Sequence, residues 1–221
     1  SVYEYVRSNR SNVSAGNFVD GIEPVGAFSA VAAEQFSSFN LADAGDTERV
    51  IGGRVTAGYF DVFNLPAVHG RVFTKEEDQP GREQVVVLSH RLWTRRFGSD
   101  RAVAGSRITL NARPYDVIGV MPAAFDYTAD GEELWVPVAF TAERKAMHDE
   151  HYLQIYGRLK PQATKEQALG ELRATAARLR VAFPRENAEL DFTVTPVLDD
   201  LVGDFPRRMF TLLAAVGFVL L

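Results

Sequence analysis

His151-Tyr-Leu-Gln-Ile-Tyr-Gly-Arg-Leu159 alternates Leu153, Ile155, Gly157 and Leu159 with Tyr152, Gln154, Tyr156 and Arg158. A period of two marks a strand with one face buried, and Pro161 ends it. Thr164 and Gln167 then stand at capping-box spacing. Leu169, Leu172, Ala176, Leu179 and Phe183 follow in steps of three and four, the apolar stripe of an amphipathic helix that Pro184 closes. Phe192, Val194 and Pro196 alternate with Asp191, Thr193 and Thr195, so a strand follows. Residues 151–197 therefore predict strand–helix–strand, and with them an α+β fold.

Residues 1–41 predict a weaker version of the same pattern. Val2, Tyr3, Tyr5 and Val6 suit a strand, and Ser14 suits the cap of a short helix running to about Gly21. Residues 28–39 are mixed, and a helical turn followed by a strand over 35–41 is expected. Residues 42–46 form a polar turn and 48–56 a strand, so a hairpin is expected here. Tyr59, Phe60, Val62, Phe63 and Leu65 cluster at helical spacing. We therefore expect one αβ lobe built from residues 1–65 and 151–204, interrupted by a smaller β-rich insertion over 66–150. Inside the insertion, Thr74 and Glu77 have capping-box spacing, and Val85-Val-Val-Leu88 suits a strand buried on both faces. Ser89 caps a helix carrying Leu92, Trp93, Arg96 and Phe97, which Gly98 stops. Residues 108–110 and 115–120 flank Asn111-Ala-Arg-Pro114 as a hairpin, and Pro137 places Leu134-Trp-Val-Pro-Val138 at a sheet edge or a strand terminus.

The chain has 221 residues, 46% hydrophobic and 24% charged, enough to bury a core without a disulfide or metal staple. The net charge of -5 is spread with both signs interspersed, which excludes a basic stripe for nucleic acid. The absence of cysteine excludes disulfides, thiolate zinc sites and thiol nucleophiles. Met209, Phe210, Leu212, Leu213, Val216, Phe218, Val219, Leu220 and Leu221 lie in a run of uncharged residues with no polar face. A membrane span takes about 20 such residues, so residues 205–221 are expected to begin a transmembrane helix. The alternative is a buried terminal helix or strand.

Catalytic patterns are missing from the sequence. It has no Gly-x-x-x-x-Gly-Lys-Ser/Thr phosphate loop, no His-Glu-x-x-His zinc motif and no Gly-x-Ser-x-Gly elbow. His148-Asp-Glu-His151 has a spacing that metal ligands use, but a polar linker entering the strand at Tyr152 is the simpler expectation. His90 is expected in the first turn of a helix, and Asp43, Asp46 and Glu48 in a solvated turn without calcium-loop spacing. Asp199, Asp200 and Asp204 precede the apolar run, solvated or paired with Arg207 and Arg208. Trp93 and Trp135 are expected in the core. No catalytic, metal or cofactor-binding residue is expected, and the chain is not expected to be an enzyme.

A longer pattern runs through the middle: Gly58-Tyr-Phe-Asp-Val-Phe63, Gly70-Arg71-Val-Phe73-Thr74 with Glu77-Asp78, Ser89-His90, Leu92-Trp93, Arg96-Phe97-Gly98, Gly105, Ile108-Thr-Leu-Asn111, Pro114-Tyr115-Asp-Val-Ile-Gly119-Val-Met-Pro122, Phe125 and Leu134-Trp135-Val-Pro137. It resembles the periplasmic core domain of MacB-like, FtsX-related ABC-transporter permeases over about residues 1–204, most strongly over 54–138. Gly21 stands where many relatives carry Trp, and Ala112 where a turn glycine is usual.

The resemblance implies a domain between two membrane helices, on the extracytoplasmic side of the bacterial inner membrane, with a porter-like αβ lobe interrupted by a β-rich one. It implies no cofactor. It also implies as partners a second permease copy, a cytoplasmic ATPase, the lipid membrane and a periplasmic adaptor or lipoprotein. The domain would convert ATP-driven motion into work on a substrate outside the membrane. Arg207 and Arg208 vote for the cytoplasmic side by the positive-inside rule, and the longer pattern outweighs them. A free-standing periplasmic ligand-binding protein and a cryptic hydrolase are the competing readings.

Overall fold

A computed structural model of the chain describes residues 2–6, 9–43, 46–126 and 131–197. The strands are β1 (Val2–Val6), β2 (Asn9–Ser11), β3 (Val13–Ser14), β4 (Phe28–Asp43), β5 (Asp46–Val55), β6 (His69–Gly70), β7 (Val85–Leu88), β8 (Arg107–Leu110), β9 (Arg113–Val120), β10 (Leu134–Pro137), β11 (His151–Leu159) and β12 (Asp191–Val194). The helices are α1 (Ala15–Asn17), which continues as a π-helical turn over Phe18–Ile22, α2 (Tyr59–Phe63), α3 (His90–Phe97), α4 (Ala142–Lys145) and α5 (Lys165–Ala182).

The predicted strand–helix–strand over 151–197 is β11, α5 and β12. Thr164 Oγ1 accepts from Gln167 N at 3.2 Å while Gln167 Oε1 accepts from Thr164 N at 2.8 Å, so the capping box closes both ways. The helix buries Ala168, Leu172, Thr175, Ala176 and Leu179. The buried stripe therefore runs through Ala168, and Leu169 is only half-buried. Val13, Phe18, Ile22, Phe28, Leu153 and Phe192 complete this core against α5. Leu179 Cδ1 stands 2.7 Å from where a Cβ on Gly21 would be, with Phe192 behind it. The room a tryptophan at position 21 would need is already filled.

Residues 28–39 depart from expectation. No helical turn forms, because β4 is a continuous strand of 16 residues. Its Ala-Val-Ala-Ala-Glu-Gln stretch has weak strand propensity, but ladders on both sides override it. Residues 28–34 pair with β11, 34–43 with β5, and 41–42 with β8. One sheet consequently runs in the order β12-β1-β11-β4-β5-β10-β7-β9-β6. Ladder bonds carry it from residues 1–65 and 151–197 into residues 66–137 through the parallel β5–β10 pair.

Two further cores lie on opposite sides of that continuation. Val86, Leu88, Leu134 and Val136 point into one with Phe39, Leu41 and Tyr115, and Val85, Val87 and Trp135 into the other with Tyr59, Phe60 and Phe125. β7 is buried on both faces, as its unbroken apolar run predicts, and so is β10. Pro137 is the last residue of β10, a terminus between two partner strands. Ser89 Oγ accepts from Leu92 N at 3.0 Å, and Gly98 ends α3 with φ +59°. Thr74 and Glu77 build only a turn. Glu77 accepts from Thr74 N at 2.9 Å, and its other engagement is a bidentate pair with Arg71 at 2.7 Å.

The β8–β9 hairpin turns on Asn111 and Ala112, both left-handed at φ +50° and +62°. Alanine there carries the Cβ penalty that glycine avoids. Ala112→Gly is expected to raise stability by about 0.5–1 kcal/mol, the relief less the added freedom of the unfolded chain. A shift in the urea midpoint at unchanged slope measures it.

Candidate functional site

The two ends of the described chain meet. Val2 lies opposite Val194 and Tyr5 opposite Asp191 in the antiparallel β1–β12 pair. The chain therefore enters and leaves side by side. On its other edge β1 pairs with β11, with Val2 opposite Ile155. The exit strand is fixed to α5, since Phe192 and Leu190 are buried there and Arg180 Nη1 donates to Leu190 O at 2.7 Å. Both end strands are thus tied into the sheet, and β12 into α5 as well.

Behind this corner lies a buried polar cluster. Asn17 and Asn187 pair their amides head to head, Asn17 Nδ2 donating to Asn187 Oδ1 at 3.0 Å and Asn187 Nδ2 to Asn17 Oδ1 at 2.8 Å. His148 Nδ1 donates to the same Asn17 oxygen at 2.7 Å, its ring stacks on Phe183 at 3.6 Å, and Nε2 lies 3.5 Å from Asp20 Oδ2. His148 is only 2% exposed. His148-Asp-Glu-His151 is the expected polar linker, with Asp149 and Glu150 exposed ahead of β11, but His148 turns inward: it packs over Gly16 and joins α1, the segment before β11 and the α5–β12 connection. Gly16 must be glycine for this, since a Cβ would lie 2.8 Å from the imidazole. Asn187→Ala is expected to cost about 2 kcal/mol, because it strands a buried amide; thermal denaturation measures it.

A cavity of about 600 Å³ opens between Phe18, Phe28 and Phe140 on one side and Lys75, Asp78 and Lys145 on the other. Asp78 holds its wall together: Oδ2 accepts from Ala57 N at 2.9 Å and Oδ1 from Ala139 N at 2.8 Å. Burial nevertheless pushes its carboxyl up against the pull of those two donors. Elsewhere in the core, Glu34 and Glu132 are each 4% exposed, and Trp135 Nε1 donates to Glu132 Oε2 at 3.1 Å. Burial first, then the neighbouring Glu132, holds the Glu34 carboxyl well above the usual range. Burial likewise pushes the Tyr59 hydroxyl up.

The residues that carry the sequence resemblance hold turns and core. Gly70 (φ +65°) faces Gly119 across β6–β9. Arg71 pairs with Glu77, while Phe73, Tyr115 and Trp135 are buried. Trp93 is buried and donates through Nε1 to Asp100 O at 2.7 Å. Ser89, Gly98 and Asn111 occupy the cap and turn positions given above. Phe97 is half-buried against the second core, Pro122 precedes the turn Ala123–Phe125, and Pro137 ends β10. His90 opens α3, and Glu48 pairs with Arg95 at 2.5 Å. The side chains of Asp43 and Asp46 lie outside the described residues. So do Asp199, Asp200, Asp204, Arg207, Arg208 and the run Met209–Leu221. Among the described residues no helix is long and apolar enough to cross a membrane, and no three His, Cys, Asp or Glu residues are grouped to hold a metal.

The family model described as the MacB-like periplasmic core domain matches residues 5–175. Among solved structures, the periplasmic region of MacB from Actinobacillus actinomycetemcomitans superposes with a TM-score of 0.62 at 18% identity, covering 91% of this chain and 90% of that one. The extracellular domain of the noncanonic ABC-type transporter YknZ from Gram-positive bacteria gives 0.60 at 16% identity, covering 89% and 100%. A domain of a protein assigned as a permease in Porphyromonas gingivalis gives 0.62 at 17% identity, covering 88% and 86%. Likenesses this distant in sequence speak to the fold. Among curated proteins none matches the chain.

Proposed function

The chain belongs to the MacB-like periplasmic core domain family, and from that premise we propose that it couples cytoplasmic ATP hydrolysis to work outside the membrane as part of an ABC-transporter permease. Residues 1–65 and 151–204 form the lobe that takes up motion, and 66–150 form the lobe it carries. Residues 205–221, which contain the apolar run Met209–Leu221, begin a membrane helix in the bacterial inner membrane. The partners are a second permease copy, an ATPase on another domain or chain, the lipid membrane, and an adaptor or lipoprotein on the extracytoplasmic side. The work is efflux, export or lipoprotein handling, and the domain itself carries no catalytic step.

The observation that supports this reading is the pairing of β1 with β12. A rigid-body switch needs a stiff joint between the moving rod and the moved domain. Two adjacent, hydrogen-bonded strands at the two ends supply one, because a pull on either is shared across the ladder. Inserting a flexible Gly-Ser segment within 199–206 of the full transporter is expected to leave ATP hydrolysis running and to cut transport about tenfold or more. Transport that survives the insertion would remove the mechanical reading.

A further inference from the structure

Glu34 and Glu132 come from distant parts of the chain and meet in the core. Glu34 is on β4, where its strand neighbours are Val55 on β5 and Gln154 on β11. Glu132 precedes β10, three residues before the Trp135 whose indole holds it. Between them runs β5, and the strand is bare where the carboxyls cross it. A Cβ on Gly53 would lie 2.7 Å from Glu34 Oε1 and 2.9 Å from Trp135 Cδ1. A glycine in the interior of a strand weakens it unless something needs the space, and here the Glu34 carboxyl and the Trp135 indole that holds Glu132 occupy that space.

The groups facing Glu34 are few. The segment before β10 contributes Glu132, α2 contributes the Tyr59 hydroxyl, and β11 contributes the Tyr156 hydroxyl, which donates to Gln154 Oε1 at 2.9 Å. β5 contributes only Gly53 and Val55 on this face. Among the described residues, none of the groups named here is a cation. Two carboxyls buried as neighbours in the core cannot both be charged without severe cost, whereas one shared proton turns repulsion into a hydrogen bond.

We propose that Glu34 and Glu132 share one proton at neutral pH and form a pH-sensitive joint that ties β4 to the segment leading into β10. The direction follows from where the proton is held. A carboxyl that keeps its proton more firmly folded than unfolded supports the fold fully below its unfolded titration range, and that support is lost as pH rises through its folded one. The joint is firm in acid and loosens in base, where the second charge forces the strands apart. This inference does not depend on the transport reading above.

Infrared spectroscopy and thermal denaturation of the whole chain test it together. The unaltered chain is expected to show a protonated-carboxyl band at neutral pH that Glu34→Gln removes. Glu34→Gln keeps a donor for Glu132 without the proton, so it is expected to melt several degrees higher than the parent in alkaline buffer. That advantage should shrink toward about pH 5. Amides of residues 132–137 should exchange faster in base, beyond the intrinsic rate, in the parent and not in the variant. Glu132→Gln should behave alike, so a failure of one variant to fold leaves the other and the infrared band to decide. No protonated carboxyl at neutral pH, or melting profiles of parent and variant that run parallel in pH, would overturn the proposal.

Discussion

Gly119→Ala is expected to destabilise the domain by about 3 kcal/mol, at the upper end of what overpacking costs, read as a fall in the urea midpoint. A Cβ on Gly119 would be driven into the Arg71 carbonyl oxygen, with the Arg71 carbonyl carbon and nitrogen close behind. These are backbone atoms, so no rotamer change makes room. Nor can Arg71 retreat easily: its N–H donates to Ile118 O at 2.9 Å and its guanidinium grips Glu77. Gly98→Ala is the contrasting control. Its φ of +59° is unfavourable for alanine, which Gly119's is not, but nothing lies within 4 Å of the new Cβ, so about 1 kcal/mol is expected. A Gly119→Ala loss no larger than that of Gly98→Ala would mean that the β6–β9 approach has slack.

The same two glycines show what the sequence could and could not disclose. Caps, turns and stripes were legible because each depends on a few neighbouring residues: Ser89 and Gly98 bracket α3, and Thr164 and Gln167 open α5. The spacing of Gly70 and Gly119 within a longer family pattern marked both positions, but only the coordinates show that they face each other. Residues 28–39 misled because alanine, glutamate and glutamine carry a helical preference, and the ladders that overrule it come from β11 and β5. The buried polar groups were hidden for a related reason. Asn17 and Asn187 stand 170 positions apart, and nothing near either one distinguishes it from a surface asparagine. Gly53, inside a strand, marks a close approach, but only the fold shows that Glu34 and Trp135 make it. Nothing beside His148 marks it as buried, since Asp149 and Glu150 are charged and exposed; its burial comes from α1 and Phe183.

Asp78 carries the second large expectation, since it is the bond by which the turn after Phe73 holds two other parts of the chain. Its two oxygens receive two backbone donors: Ala57, just after β5, and Ala139, just after β10. Only a carboxylate offers an acceptor to each. Asp78→Ala leaves both N–H groups without a partner and is expected to cost about 2 kcal/mol, since an unsatisfied donor costs on the order of 1–3 kcal/mol and the adjoining cavity lets water soften the loss. Asp78→Asn is the sharper test. Its amide nitrogen must face one of the two N–H groups, so a substitution that preserves shape is expected to lose nearly as much as alanine. Were Asn tolerated within about 0.5 kcal/mol of the parent, one of the two bonds would carry no weight. The raised titration of Asp78 shows that burial already works against its charge. The support it gives is therefore what remains after that cost.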